Sequence, residues 1–183
     1  MRGYFAILTM VALGGCATTS PPSEAERFFD RLSGLCGERF AGALVSDDAD
    51  DADFRGQDME MHVAHCDDTE IRIPFRVGED RSRTWVVTRT DAGLRLKHRH
   101  LHEDGTPDAV TWYGGTAMTP GSAARQEFPV DPESIALFRR EGLEASVVNV
   151  WALEVRDGLF AYELRRPTGR FFRVEFDTND PVD

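Results

Sequence analysis

The sequence predicts a mainly β protein in which about eight to ten antiparallel strands form a meander that closes into a barrel or a sandwich, a class that includes calycin-like barrels. Two observations support this fold class. Apolar and polar residues alternate with a period of two in most of the chain, as they do in strands with one buried face. Short turn sequences, such as Asp157-Gly158, separate these runs at hairpin spacing.

An N-terminal helix is predicted to begin after residue 22. Ser23 and Glu26 have the spacing of a capping box, in which each side chain bonds to the other residue's backbone N–H. Phe28, Phe29 and Leu32 follow on one stripe of that helix. We expect the helix to pack its apolar stripe against the β-rich body as a lid or a plug.

The period-two pattern then predicts nine strands. They are expected at 39–45, 59–63, 71–77, 84–89, 94–100, 109–113, 147–155, 159–166 and 170–176. Aromatic residues recur mostly at alternating strand positions, for which core packing is the default expectation. These aromatic residues are Trp85, Trp112, Trp151, Phe160, Tyr162, Phe172 and Phe176. A closed barrel of this size can also keep an interior cavity for one apolar ligand.

One short internal helix is predicted at 132–141, with Asp131 as its N-cap and Pro132 in its first position. Two other segments are expected to be loops. The segment 46–53 holds five aspartates and should be solvated. The segment 114–126 is rich in Gly, Ala, Thr and Ser and could cover one end of the barrel.

The first sixteen residues indicate export. Arg2 precedes a short apolar run, and the run ends in small residues before Cys16. The sequence Leu13-Gly14-Gly15-Cys16 resembles the lipobox of bacterial lipoproteins, which implies that Cys16 is acylated and becomes the new N-terminus. The predicted organisation is a signal peptide at 1–15, a lipidated cysteine and tether at 16–22, and a single β-rich domain at 23–183. Ala17 after the cysteine, by resemblance to lipoprotein sorting in Gram-negative bacteria, favours the outer membrane, facing the periplasm.

The cysteine count agrees with export. The chain has three cysteines, so lipidation of Cys16 leaves Cys36 and Cys66 as a pair. An oxidising compartment favours a disulfide between them, and two buried free thiols are the alternative. In the chain-entropy account such a bond stabilises the fold by roughly 3–4 kcal/mol.

The charge of the chain restricts its partners. The formal net charge is −11, which repels nucleic acid and anionic lipid headgroups. Contact with a membrane is therefore expected through the N-terminal lipid, not through a basic surface. No protein partner is indicated by the sequence.

Histidines at alternating positions are the one pattern with chemical promise. His98, His100 and His102 share one face of a predicted strand, and His98 and His100 should point inward with Leu94 and Leu96. Two imidazoles at this spacing can bind zinc or another divalent transition metal. All three cannot bind one ion on a straight strand, because His98 and His102 would lie about 13 Å apart. The alternative is a row of imidazoles bonded to backbone, acids or water.

Three segments resemble a group of uncharacterised secreted proteins and lipoproteins from proteobacteria. They are Val77-Gly78-Glu79-Asp80-Arg81-Ser82-Arg83-Thr84-Trp85, Leu94-Arg95-Leu96-Lys97-His98-Arg99-His100-Leu101-His102-Glu103-Asp104-Gly105, and Phe160-Ala161-Tyr162-Glu163-Leu164-Arg165-Arg166. The resemblance covers most of the chain after the export signal. It implies that the histidine segment is a feature of the group, and it brings no activity with it.

Three functional hypotheses follow. The first is a binding module for a small apolar or amphipathic ligand, because the strand pattern suits a calyx with a helical plug. The second is a metal-binding protein or metalloenzyme that uses His98 and His100. The third is a structural or assembly partner in the cell envelope. No catalytic residue is assigned, since the sequence contains neither a phosphate-binding loop nor a GxSxG nucleophile motif, and a binding role is favoured over an enzyme.

Overall fold

A single antiparallel sheet curls around a hydrophobic core in the computed structural model, which describes residues 21–118 and 121–183. The predicted signal peptide and Cys16 lie outside the described residues. None of the helices within the described ranges is long and apolar enough to cross a membrane.

The described residues form eleven strands and two α-helices. The strands are β1 (Arg39–Leu44), β2 (Met59–His62), β3 (His65–Cys66), β4 (Glu70–Val77), β5 (Asp80–Thr90), β6 (Gly93–His100), β7 (Tyr113–Thr116), β8 (Arg125–Pro129), β9 (Val150–Arg156), β10 (Leu159–Arg165) and β11 (Phe171–Pro181). The α-helices are α1 (Glu24–Ser33) and α2 (Pro132–Arg140). Two short 3-10 helices span Ala49–Phe54 and Glu144–Val148.

Ten of these strands follow one another around the sheet in the order β7-β6-β5-β4-β2-β1-β11-β10-β9-β8, and β3 pairs with β4 beside this path. The two end strands approach each other, because an isolated bridge joins Gly115 to Val130. The Asp131 N–H also donates to the carbonyl oxygen of Gly114 at 3.0 Å. The sheet is therefore nearly closed into a barrel, which confirms the predicted fold class.

Two glycines make this seam between β7 and β8 possible. A Cβ atom on Gly115 would lie 1.9 Å from the carbonyl oxygen of Pro129, which is far inside contact distance. A Cβ atom on Gly114 would lie 1.9 Å from the carbonyl oxygen of Leu96, on the other side of β7. The strand β7 therefore fits between its neighbours only because both positions lack a side chain.

The helix α2 is fastened next to the seam. Lys97 is only 1% exposed, and its Nζ lies 2.9 Å from Asp131 and 2.8 Å from Glu133, at the start of α2. Asp131 also caps the helix by accepting from the Ser134 N–H, and Pro132 takes the first helical position as predicted. The buried ammonium has two carboxylate partners, so its charge is compensated inside the protein.

The helix α1 packs its apolar stripe into the core, as predicted. Both hydrogen bonds of the capping box between Ser23 and Glu26 are present. Phe28, Phe29 and Leu32 are at most 1% exposed and belong to the core cluster. This burial supplies most of the driving force that holds the helix on the barrel.

The predicted disulfide between Cys36 and Cys66 is present, with a Cα–Cα distance of 6.2 Å. It joins the segment that follows α1 to β3. The Gly37 N–H reinforces the same connection by donating to the carbonyl oxygen of Val63 at 2.8 Å. The end of α1 is thus fixed to the sheet by a covalent bond as well as by packing.

The predicted strand at 109–113 is wrong. The chain there runs irregularly to Trp112, which has a positive φ of 59° and a side chain that is 40% exposed. The strand β7 begins only at Tyr113, so the segment 114–126 is also not a loop throughout. The sequence misleads because Gly114 and Gly115 are typical of loops, whereas here they serve close strand packing.

Two further expectations need correction. The first part of the predicted strand 147–155 belongs to a 3-10 helix, and β9 begins at Val150. The aspartate-rich segment 46–53 is not fully solvated, because its 3-10 helix turns Asp51 inward until the residue is 0% exposed. Asp51 is ion-paired there with Arg170 and accepts from the Ser46 hydroxyl at 3.0 Å. The long-range partner, which local sequence does not show, determines this burial.

Candidate functional site

A cavity of about 250 Å³ occupies one end of the barrel interior and is partly open to solvent. Its lining comes from strand residues on both halves of the sheet and from helices and connecting segments at that end of the barrel, where Leu143 is 38% exposed. The lining residues are Phe54, Phe75, Arg83, Thr84, Trp85, His98, His100, Val110, Tyr113, Phe138, Leu143, Ser146, Asn149, Trp151, Tyr162, Leu164, Arg166, Arg170 and Phe172.

The helix α1 and the cavity lie toward opposite ends of the barrel. In β5, Arg83 and Trp85 line the cavity, whereas the guanidinium of Arg89 lies 4.1 Å from the ring centroid of Phe29 in α1. Arg89 lies four positions after Trp85 on the extended strand, at a distance of about 13 Å. The helix therefore closes one end of the barrel and leaves the cavity end free.

Eight of the nineteen residues that line the cavity are Phe, Trp or Tyr. The ring of Trp85 stacks on Tyr162 with centroids 4.5 Å apart and on Phe75 with centroids 4.6 Å apart. Two strands along the sheet from Trp85, Tyr113 packs near Trp151 and Phe138, with centroid distances of 5.9 and 5.2 Å. These contacts hold the wall rings in position, so the cavity is bounded by packed side chains with few open rotamers.

His98 is built into this wall and is only 2% exposed. Its Nδ1 lies 3.1 Å from the carbonyl oxygen of Tyr113, which can only accept, so Nδ1 carries the proton. Its Nε2 therefore accepts from the Tyr162 hydroxyl at 2.9 Å. Burial lowers the pKa of His98 to about 3, and burial also raises the pKa of Tyr162 well above its ordinary value. Both groups are neutral at physiological pH.

The other two histidines of the segment have different surroundings. His100 lines the cavity beside His98, and its Nε2 lies 3.2 Å from the Tyr113 hydroxyl. Burial, followed by the neighbouring Arg83, lowers the pKa of His100. His102 is exposed in a turn, where its N–H donates to the carbonyl oxygen of Thr106.

The predicted metal site at His98, His100 and His102 stays a prediction. Both ring nitrogens of His98 are hydrogen-bonded within the protein, so metal binding there would have to displace Tyr162 or Tyr113. Within residues 21–118 and 121–183, no group of three or more His, Cys, Asp or Glu side chains is arranged to hold a metal ion. The geometry therefore favours a structural role for His98.

Three arginines also line the cavity, and two of them have carboxylate partners. Arg83 is ion-paired with Asp80 at the start of β5. Arg170 is ion-paired with Asp48 and Asp51 of the aspartate-rich segment. The positive charges of Arg83 and Arg170 are therefore largely compensated by the protein itself.

Arg166 has a different environment. Its Nε donates to the Asn149 side-chain oxygen at 2.7 Å, and its Nη2 lies 3.3 Å from the Ser146 hydroxyl. Among the described residues no carboxylate forms an ion pair with it. Burial, and then the proximity of Arg170, lower its pKa, but a guanidinium stays protonated at any physiological pH. Arg166 is thus a partly buried cation held in place by neutral groups.

Sequence reasoning found some of these residues and missed others. The expectation that His98 and His100 point inward agrees with their place in the cavity wall. The arginines were missed, although the alternation contains the signal. Arg166 has the same parity as Phe160, Tyr162 and Leu164, and Arg83 has the same parity as Trp85. These two arginines continue the inward-facing positions of their strands, and that position would have indicated that they face the barrel interior.

Comparison of the chain with protein-family models, with curated proteins and with solved structures finds no match. The functional conclusion therefore depends on the geometry of the cavity and on the residues that form it.

Proposed function

We propose that this protein is an exported lipoprotein whose barrel binds a small apolar or amphipathic ligand in the aromatic cavity. The carrying observation is the cavity of about 250 Å³, which is walled by packed aromatic rings at the barrel end that α1 leaves free. An apolar cavity of about 150 Å³ already binds benzene in another protein, so this one has room for a larger ligand.

The composition of the wall supports binding over catalysis. Tyr162 and His98 are hydrogen-bonded to each other as neutral groups, and burial raises the pKa of Tyr113 to about 12. None of the three is poised to exchange a proton near neutral pH. A wall that combines packed aromatic rings with polar groups held at fixed positions is suited to orienting a bound ligand.

The proposed location depends on the lipobox-like sequence at Cys16. We propose that an acyl chain on Cys16 anchors the protein to the outer membrane and that the barrel faces the periplasm. The disulfide between Cys36 and Cys66 supports an oxidising compartment.

Calorimetric titration with cinnamyl alcohol and with 1-octanol tests the binding role. The full chain carrying Cys16→Ser is used, so that no acyl chain competes for the cavity. We expect saturable one-to-one binding, because both probes have about ten non-hydrogen atoms and fit the cavity. If neither probe binds, the result argues against the proposal.

Two valine variants make this titration specific for the cavity. Val110 lines the cavity, so Val110→Phe should fill part of it and weaken binding. Val45 is 51% exposed and does not line the cavity, so Val45→Phe is the matched control and should bind normally. Equal affinities for the two variants would place any observed binding elsewhere.

A further inference from the structure

We propose that the ligand of this cavity is a small apolar monocarboxylate and that Arg166 binds its carboxylate group. This inference rests on the proposed function and specifies the chemistry of the ligand. The distribution of charge around the cavity supports it, together with the cavity volume.

The cavity lining has the opposite charge balance to the chain. The whole sequence has 32 acidic and 21 basic Asp, Glu, Lys and Arg residues, with a net charge of −11. The described residues that line the cavity include three arginines and no aspartate or glutamate. A cavity inside an acidic protein that displays only cationic charged side chains is suited to an anion.

Arg166 is the arginine available to that anion. Asp80 compensates Arg83, and the aspartate-rich segment compensates Arg170, as described above. Arg166 donates to Asn149 and Ser146, which are neutral. Among the described residues, Asp48 and Asp50 attract it only from beyond ion-pair distance, so its charge is less compensated than those of the other two arginines. A guanidinium has five N–H donors, so it keeps donors for a carboxylate after these two bonds.

Asn149 and Ser146 also give the guanidinium a fixed position. Asn149 is only 5% exposed, and its side-chain oxygen holds Nε at 2.7 Å. An arginine that is already held loses less side-chain entropy when it binds an anion. The site is therefore arranged for a charged group before any ligand arrives.

The remaining wall sets the nature of the ligand's body. Trp85, Trp151 and Tyr162 present apolar ring surface, and the volume of about 250 Å³ corresponds to roughly eight to twelve non-hydrogen atoms at the packing of a liquid. A carboxylate with a short aliphatic or single-ring body matches both the size and the polarity. A large lipid with several acyl chains does not fit within this volume.

Cinnamate and cinnamyl alcohol form a matched pair that tests this inference. They share the same apolar body and differ in the carboxylate. In calorimetry with the full chain carrying Cys16→Ser at neutral pH, we expect cinnamate to bind about tenfold or more tightly than the alcohol, since the carboxylate adds an opposite charge and a second acceptor oxygen for the guanidinium. Raising the salt concentration should reduce the affinity for cinnamate only.

The variant Arg166→Gln should remove this preference, because it should weaken the binding of cinnamate far more than that of cinnamyl alcohol, whose apolar contacts persist. Arg166→Lys keeps a positive charge without the planar fork and should retain part of the preference. Arg156→Gln is the control, because Arg156 pairs with Glu154 and does not line the cavity. Circular dichroism verifies that each variant retains the barrel.

The outcomes separate the two proposals. Binding of cinnamyl alcohol with no preference for cinnamate would overturn the carboxylate inference and leave the binding function standing. A preference that survives in Arg166→Gln would overturn the assignment of Arg166. If neither probe binds, the proposed function fails as well. If the Arg166 variants do not fold, the wild-type preference and its salt dependence still decide whether the ligand is an anion.

Discussion

Two basic side chains in the cavity wall have different protonation states although both are buried or partly buried. His98 is enclosed by Tyr113, Tyr162 and Trp151, and its hydrogen-bond partners suit a neutral imidazole. The hydrogen-bond partners of Arg166 are neutral too, but a guanidinium cannot lose its proton under physiological conditions. Burial therefore leaves a neutral wall residue in one case and, in the other, a cation that has no ion-pair partner among the described residues.

The neutral state of His98 predicts a pH-dependent stability. Its pKa is lowered from 6.5 to about 3 in the folded protein, so the unfolded state binds more protons between these values. Its contribution is complete above pH 6.5 and is lost as the pH falls toward 3. We expect His98 alone to remove about 3 kcal/mol from the free energy of unfolding between pH 7 and pH 4.

Urea unfolding of the wild type and of His98→Gln at several pH values measures this loss. Glutamine can still donate to the Tyr113 carbonyl oxygen and accept from Tyr162, but it does not titrate. The acidic groups common to both proteins cancel in the difference between the two curves. Parallel curves from pH 7 to pH 4 would show that His98 is not buried as a neutral group.

At the scale of elements, the disulfide fixes the segment after α1 to β3 and closes a sequence separation of 30 residues. The variant Cys36→Ala/Cys66→Ala should lower the free energy of unfolding by about 3 kcal/mol, mainly because the unfolded chain gains freedom. Urea unfolding with and without a reductant measures the effect. The reductant should destabilise the wild type and leave the double variant unchanged, and equal stability of the two oxidised proteins would contradict the prediction.

The seam of the barrel depends on a position without a side chain. Gly115→Ala places a methyl group against the carbonyl oxygen of Pro129 and should destabilise the protein by about 1–3 kcal/mol as β7 and β8 separate. Faster hydrogen exchange of the Asp131 N–H, which donates to Gly114 across the seam, would locate the damage.

Gly34→Ala is the matched control for this seam variant. Gly34 ends α1 with an ordinary helical φ of −62°, and its nearest contact from an added Cβ is 3.2 Å. The substitution should change the free energy of unfolding by less than about 1 kcal/mol in either direction. Equal effects of the two alanines would show that the seam tolerates a side chain.

At the scale of the whole molecule, the full sequence carries a formal net charge of −11, and the proposed membrane contact is confined to the lipid on Cys16. In a Gram-negative host, Cys16→Ser should move the protein out of the outer-membrane fraction and abolish incorporation of a labelled fatty acid. Density-gradient separation of the outer from the inner membrane, followed by immunoblotting, measures the distribution. Unchanged association with the outer membrane would mean that another part of the chain provides that anchor.

Much of the fold could be predicted because its elements are encoded locally. The capping box at Ser23, the alternation through β4 and the N-cap at Asp131 each depend on a few neighbouring residues. The pairing of Cys36 with Cys66 followed from counting, once Cys16 was assigned to the lipid. The inward direction of His98 followed from its parity with Leu94 and Leu96.

What local sequence could not give depends on residues that are distant in the chain. Gly115 joins the seam only because Val130 lies opposite it, and Asp51 is buried only because Arg170 reaches it. The lack of an ion pair at Arg166 within the described residues has the same origin, since the nearby carboxylates pair with Arg170 instead. Alternating polarity by itself determined a β protein with a buried face. Tertiary contacts decided where the barrel closes, where its interior stays open, and which cation faces that space.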